Sequence, residues 1–142
     1  MNMSSILRKL RSIIAVSPRA LPINGCKMAI IVRSDIPMSK GKTASQCAHA
    51  ALECYRAARA NQNNKAMLKM WELTGQPKIV LRVSSQTELM NLAQKAKKDG
   101  VIAAIIQDAG RTQLAPGTVS VLGLGPGPKE DIDRLTLNLK LL

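Results

Sequence analysis

Four short apolar runs punctuate the chain, and between most of them apolar residues recur at helical spacing. Residues 27–33, KMAIIVR, break off into SDIPMSKGK, loop chemistry with a proline and a glycine, and predict a first strand buried on both faces. From Thr43 to about Ala60, the positions Ala44, Cys47, Ala48, Ala51, Tyr55 and Ala58 predict a helix with a narrow face of small residues, suited to close packing on a sheet. NQNNK ends it, and a short helical stretch around Trp71 precedes TGQPK. IVLRV, 79–83, predicts a second strand. Ser85 and Glu88 then form an S-x-x-E capping signal for a helix whose inner face is Leu89, Leu92, Ala93 and Ala96. Lys97, Lys98 and Gly100 supply its basic last turn and terminal glycine. VIAAIIQ, 101–107, and VSVLGLG, 119–125, predict the third and fourth strands. GLGPG lacks the GxGxxG spacing and reads as a turn. Pro128 opens a last helix, with Glu130, Asp131 and Asp133 near its start, and the alternating tail LNLKLL offers a short edge strand.

Strands alternating with helices specify an α/β layer fold, with functional groups collected at strand ends. One connection runs directly from strand to strand. It is DAGRTQLAPGT, 108–118, where two to five residues would suffice for a hairpin. That segment makes the sheet mixed and, being long, predicts a functional loop.

Composition narrows the partners. A chain of 142 residues that is 46% hydrophobic buries one core, not two. Its 21 Lys and Arg against 9 Asp and Glu give a net charge of +12, which favours polyanions: nucleic acid first, an anionic membrane surface second. The same charge is also compatible with a merely solvated surface. With only Tyr55 and Trp71 and no Phe, base-stacking platforms are missing, so nucleic-acid contact would run through phosphates. Cys26, Cys47 and Cys54 show no CxxC spacing and fit small apolar roles in a reducing compartment better than a disulfide or zinc site. His49 is the single histidine, and no metal site is expected. No apolar run approaches the roughly 18 residues needed to span a bilayer.

Residues 1–24 differ in kind from the domain expected over 25–142. They carry Arg8, Lys9, Arg11 and Arg19, four serines and no acid, with Ile6, Leu10, Ile13 and Ile14 at helical spacing. This suits a mitochondrial presequence or a disordered basic extension equally, and not a secretory signal.

Candidate chemistry falls in two places. Lys42, Gln46, His49 and Glu53 stand at i, i+4, i+7 and i+11 of the first helix, on a stripe expected to face away from its alanines. KGK at the helix start suits an anion. In the long loop, Asp108 sits at a strand end, Gly110 permits positive φ, Arg111 offers a planar clamp for phosphate or carboxylate, Thr112 can donate and accept, and Gln113 can orient. Each set is also compatible with a solvated helix face and a loop-capping carboxylate. Neither a Gly-x-Ser-x-Gly elbow nor a Walker loop is present.

Taken in order, MSKGKTASQCAHAA from Met38, GQPKIVL from Gly75, DAGRTQLAPGT from Asp108, VLGLGP from Val121 and the closing LKLL resemble the type II peptidyl-tRNA hydrolase family, shared by archaea and eukaryotes. The resemblance covers about residues 27–142. It implies a single α/β domain with a mixed four-stranded sheet between helices, often dimeric. It also implies hydrolysis of the ester joining peptide to tRNA in peptidyl-tRNA, without an ATP requirement; no cofactor or metal is expected, and with residues 1–24 the location is expected to be the mitochondrion or the cytoplasm. Lys42, Gln46, His49, Asp108 and Thr112 match the family's functional positions, and Ser120 stands where the family has a threonine. On that basis Asp108, aligned by Thr112, would position or activate water, Lys42 would meet the oxyanion or the terminal phosphate, and Gln46 and His49 would position. Contacts to tRNA would fall to Lys40, Arg111, Lys95, Lys97, Lys98 and Ser120. Leu137 departs from the family's pattern, where a glycine is usual. The competing expectation is a non-catalytic tRNA-binding or cell-death-signalling adaptor on the same fold.

Overall fold

The computed structural model describes residues 2–6, 21–111 and 113–142. Within them, β1 (Cys26–Arg33) leads to α1 (Lys40–Ala60), a 3-10 turn (Gln62–Asn64), α2 (Lys65–Leu73), β2 (Lys78–Val83) and α3 (Gln86–Lys98). Next come β3 (Ala103–Gln107), β4 (Val119–Pro128), α4 (Lys129–Thr136) and β5 (Lys140–Leu141). The sheet has the order β3-β4-β1-β2-β5. β1 and β2 run parallel, while β4 is antiparallel to both β1 and β3, and β5 is antiparallel to β2. The α/β class and the mixed sheet hold. The sheet has five strands rather than four, because the last residues of the chain close onto the edge of β2.

Both faces of the sheet are covered, which is why its strands read as continuous apolar runs. Met28, Ile30 and Val32 of β1 point to the α1/α2 side with Ala50, Cys54, Ala58, Leu68 and Trp71. The alternate residues Ala29 and Ile31 point to the other side, against Leu89, Ala93 and Ala96 of α3 and Ile132 and Leu135 of α4. Ser85 caps α3 by accepting from the Glu88 N–H at 3.1 Å, and the Glu88 carboxylate reaches back to the N–H of Ser84 at 2.9 Å, one residue earlier than in the standard capping box.

Two expectations shift. GLGPG is not a turn: it lies within β4, which extends to Pro128 and pairs Gly127 and Pro128 with Lys27 and Cys26. The buried face of α1 is also rotated, to Gln46, Ala50, Cys54 and Ala58, leaving Ala44 and Ala48 exposed. Close approach to β4 explains this phase. A Cβ on Gly123 would collide with the Cys54 Sγ and stand 3.1 Å from the Ala50 carbonyl oxygen. The same burial pushes the Cys54 thiol up to about 12, so it serves as a small apolar group. Gly123→Val should therefore cost on the order of 2 kcal/mol through overpacking, visible as a lower urea midpoint with an unchanged slope. At Leu137 the φ of −52° is ordinary helical backbone, so the turn into β5 has no need of a glycine there.

Candidate active site

The first turn of α1, the C-terminal end of β3 and the loop after it meet at one point. Ser39 caps α1, its hydroxyl accepting from the Lys42 N–H at 3.1 Å. The Ser39 N–H in turn donates to the Gln113 side-chain oxygen at 2.9 Å, which ties the long loop to the helix start. Gln113 thus anchors the loop to α1, and the local signal for the cap is a serine, a favoured N-cap residue, directly before the helix.

Asp108 directly follows β3, with both backbone groups engaged by the loop: its N–H donates to Thr118 O and its carbonyl accepts from Gly117 N–H, each at 2.8 Å. One carboxylate oxygen accepts from the Gly110 N–H at 2.7 Å. The other forms an ion pair with the Lys42 ammonium. The Asp108 side chain is fully buried and that of Lys42 is only 12% exposed, so solvent screens this pair little. Gly110 makes the turn possible: its φ is +79°, and a Cβ would stand 2.5 Å from Pro116 Cγ.

A cleft of about 530 Å³ opens from this pair, lined by Lys42, Gln46, His49 and Glu53 of α1 and by Ile105, Ile106, Gln107, Asp108 and Arg111. The expected stripe of α1 is therefore assembled, with one correction. Gln46 does not face away from the core; it is buried, and its amide nitrogen donates to the Ser120 hydroxyl at 2.7 Å. Ser120 donates onward to the Ile106 carbonyl at 3.3 Å. It is the extra residue of a bulge in β4, lying between the pairs Ile106↔Val121 and Gln107↔Val119. At 0% exposure it has no surface to offer a phosphate. Its hydroxyl holds Gln46 against the cleft wall instead.

The remaining basic positions divide. Lys40 opens α1 and Arg111 lines the cleft, both on the Asp108 side. Lys95, Lys97 and Lys98 sit in the last turn of α3, beside the start of β3 and so at the opposite end of the strand from Asp108. The structure does not bring them to the site. Thr112 lies outside the described residues. No group of three His, Cys, Asp or Glu that could hold a metal occurs among the described residues.

Comparison with known proteins gives this arrangement a lineage. The profile of the family described as peptidyl-tRNA hydrolase PTH2 matches residues 26–142. The chain belongs to that family. It is 49% identical over 115 residues to the human "Peptidyl-tRNA hydrolase 2, mitochondrial", covering 81% of this chain and 63% of that protein. It is 50% identical over 119 residues to the "Peptidyl-tRNA hydrolase" of Sulfolobus acidocaldarius, covering 82% of this chain and 99% of the archaeal one. To the "Probable peptidyl-tRNA hydrolase 2" of Schizosaccharomyces pombe it is 42% identical over 138 residues, or 97% of this chain and 66% of the relative. The chain thus spans a little under two thirds of the human relative's length.

Proposed function

We propose that this protein hydrolyses the ester joining the peptide to the terminal ribose of tRNA in peptidyl-tRNA, returning free tRNA from abandoned translation. The observation that carries this reading is the buried Lys42–Asp108 pair at the head of a cleft, in a chain of the peptidyl-tRNA hydrolase PTH2 family.

Ester hydrolysis needs a water held near the acyl carbon, a group that takes its proton, and positive charge where the oxyanion forms. Asp108 fills the first two roles. Its carboxylate is fixed by the Gly110 N–H and by Lys42 at the head of the cleft, where a water can approach it. The water's oxygen bonds to the acyl carbon as Asp108 takes its proton. Collapse of the tetrahedral intermediate then breaks the bond to the ribose oxygen, which leaves with the proton that Asp108 took from the water. Lys42 meets the developing oxyanion or the adjacent terminal phosphate, Thr112 aligns Asp108, and Gln46 and His49 position the acyl group. No covalent intermediate and no cofactor enter this scheme.

The test is release of free tRNA from a peptidyl-tRNA with a blocked amino terminus by the full chain. Binding of the tRNA without release would support the adaptor reading and overturn this one.

The tRNA grip begins at Lys40 and Arg111, with Lys95, Lys97 and Lys98 available to phosphates farther along a bound tRNA. The KM should rise about tenfold or more between 50 and 200 mM salt, as phosphate contacts release counterions. A KM flat across that range would exclude phosphate-based binding.

Among the described residues no helix is long and apolar enough to cross a membrane. The domain begins near residue 25, and residues 1–24 act in the mitochondrial reading as an import signal. A reporter fused to residues 1–24 should then co-localise with mitochondria, and a diffuse cytoplasmic signal would assign the protein to the cytoplasm.

A further inference from the structure

The cleft follows the free edge of the sheet. Among the described residues β3 is the outermost strand on its side and pairs only with β4. Ile105 packs toward α3 and Ile106 toward α1, yet both line the cleft, so the cleft wraps the strand edge rather than one face. The backbone direction along β3 follows from its bonds. Ile102 O accepts from Gly125 N–H, Ile106 O accepts from the Ser120 hydroxyl, and the Asp108 N–H and carbonyl are taken by Thr118 and Gly117. Residues 102, 106 and 108 therefore turn their polar groups toward β4. The bulge adds its residue to β4 and leaves the alternation of β3 intact. By that alternation, the N–H and C=O groups of Ala103, Ile105 and Gln107 point outward, away from β4, and Ile105 and Gln107 line the cleft.

We propose that the peptide portion of the substrate binds as an added parallel strand on this edge of β3, recognised through its backbone amides and not its side chains. This rests on the hydrolase reading above and names how that site takes its substrate. The direction is dictated by chemistry. The peptide is esterified through its C-terminal carbonyl, which must reach Lys42 and Asp108 at the C-terminal end of β3, so the added strand runs parallel to β3.

Parallel pairing then fixes the register. The amide N–H of the esterified residue donates to the Gln107 carbonyl, which sets the ester carbonyl beside Asp108. The residue two before it donates its N–H to the Ile105 carbonyl and accepts from the Gln107 N–H. The intervening residue turns its amide away. Main-chain bonds supply affinity whatever the sequence, which suits an enzyme that must accept nascent peptides of every composition. They also separate peptidyl-tRNA from aminoacyl-tRNA, which presents a charged ammonium in place of the first amide and nothing for the second.

The experiment places a single N-methyl group along an N-acetyl-tetrapeptidyl-tRNA and measures kcat/KM with the full-length protein. Methylation of the residue two before the esterified one should lower kcat/KM about tenfold, as expected for a lost hydrogen bond to a site carbonyl. Methylation of the intervening residue should change it less than about twofold, because that amide faces away. Equal effects at both positions, or none, with the unmodified substrate still cleaved, would overturn strand addition and leave the hydrolase reading standing. Failure to cleave the unmodified substrate would remove both. A fall in kcat/KM with rising protein concentration would give the edge to a second copy of this chain and also overturn the proposal.

Discussion

Asp108→Asn should lower kcat on peptidyl-tRNA by about two to four orders of magnitude, the range for loss of a positioned general base, while the Kd for tRNA stays within about threefold. The substitution is nearly isosteric, and the amide oxygen can still accept from the Gly110 N–H that now meets the carboxylate at 2.7 Å. What it removes is the proton-accepting charge. Stopped-flow or quenched single-turnover measurements of tRNA release, beside equilibrium binding of deacylated tRNA, separate the two quantities. Parallel losses of turnover and binding would make Asp108 a structural strut of the loop and would return the choice of base to His49 or to solvent.

Lys42→Met should destabilise the fold by about 3 kcal/mol as well as abolish most activity. Removing one member of a buried ion pair strands the other charge in a low dielectric, and such changes cost about 3–5 kcal/mol. Here the stranded group would be the Asp108 carboxylate, whose side chain has no exposed surface. The decisive comparison is Lys42→Met combined with Asp108→Asn. With no charge left to strand, the double variant should regain much of the lost stability while remaining inactive, giving a coupling well above the few tenths of a kcal/mol expected of independent sites. Chemical denaturation of the four proteins closes the cycle. Additive losses would show that the pair contributes nothing specific beyond its separate contacts.

Catalytic placement rests on Asp108 leaving the end of a strand, and stability rests on Lys42 leaving the first turn of a helix. Both are held by the loop of residues 108–118, through the turn at Gly110 and the Gln113 contact to Ser39.

Much of this was legible along the chain. The apolar runs marked β1 to β4 because strands covered on both faces must be apolar throughout. Ser85 with Glu88 and the glycine at 100 marked both ends of α3, since caps are local chemistry. The length of the loop after β3 exceeded what a hairpin needs and so marked a functional segment. The order of the family blocks tied Lys42 and Asp108, 66 positions apart in the chain, to one site.

Other features depended on partners distant in sequence. The period of α1 was readable but its rotation was not, because alanines lie on several sides of the helix and no single face stands out. The rotation was set by Gly123, which admits Ala50 and Cys54 to the surface of β4, and by the Gln46–Ser120 hydrogen bond. Those contacts also turned Ser120 from a surface candidate into a buried support. GLGPG read as a turn because its glycines and prolines are turn residues locally, yet β1 pairs with it and holds it extended. The free edge of β3 could not be seen before the strand order was known. The sequence by itself determined most of the elements, the candidate residues Lys42 and Asp108 and the family, all of which follow from local propensity and residue identity. Only the tertiary structure decided which face each helix buries, which strand is left at the edge, and hence where a peptide could lie, because those depend on packing between segments that the chain order keeps apart.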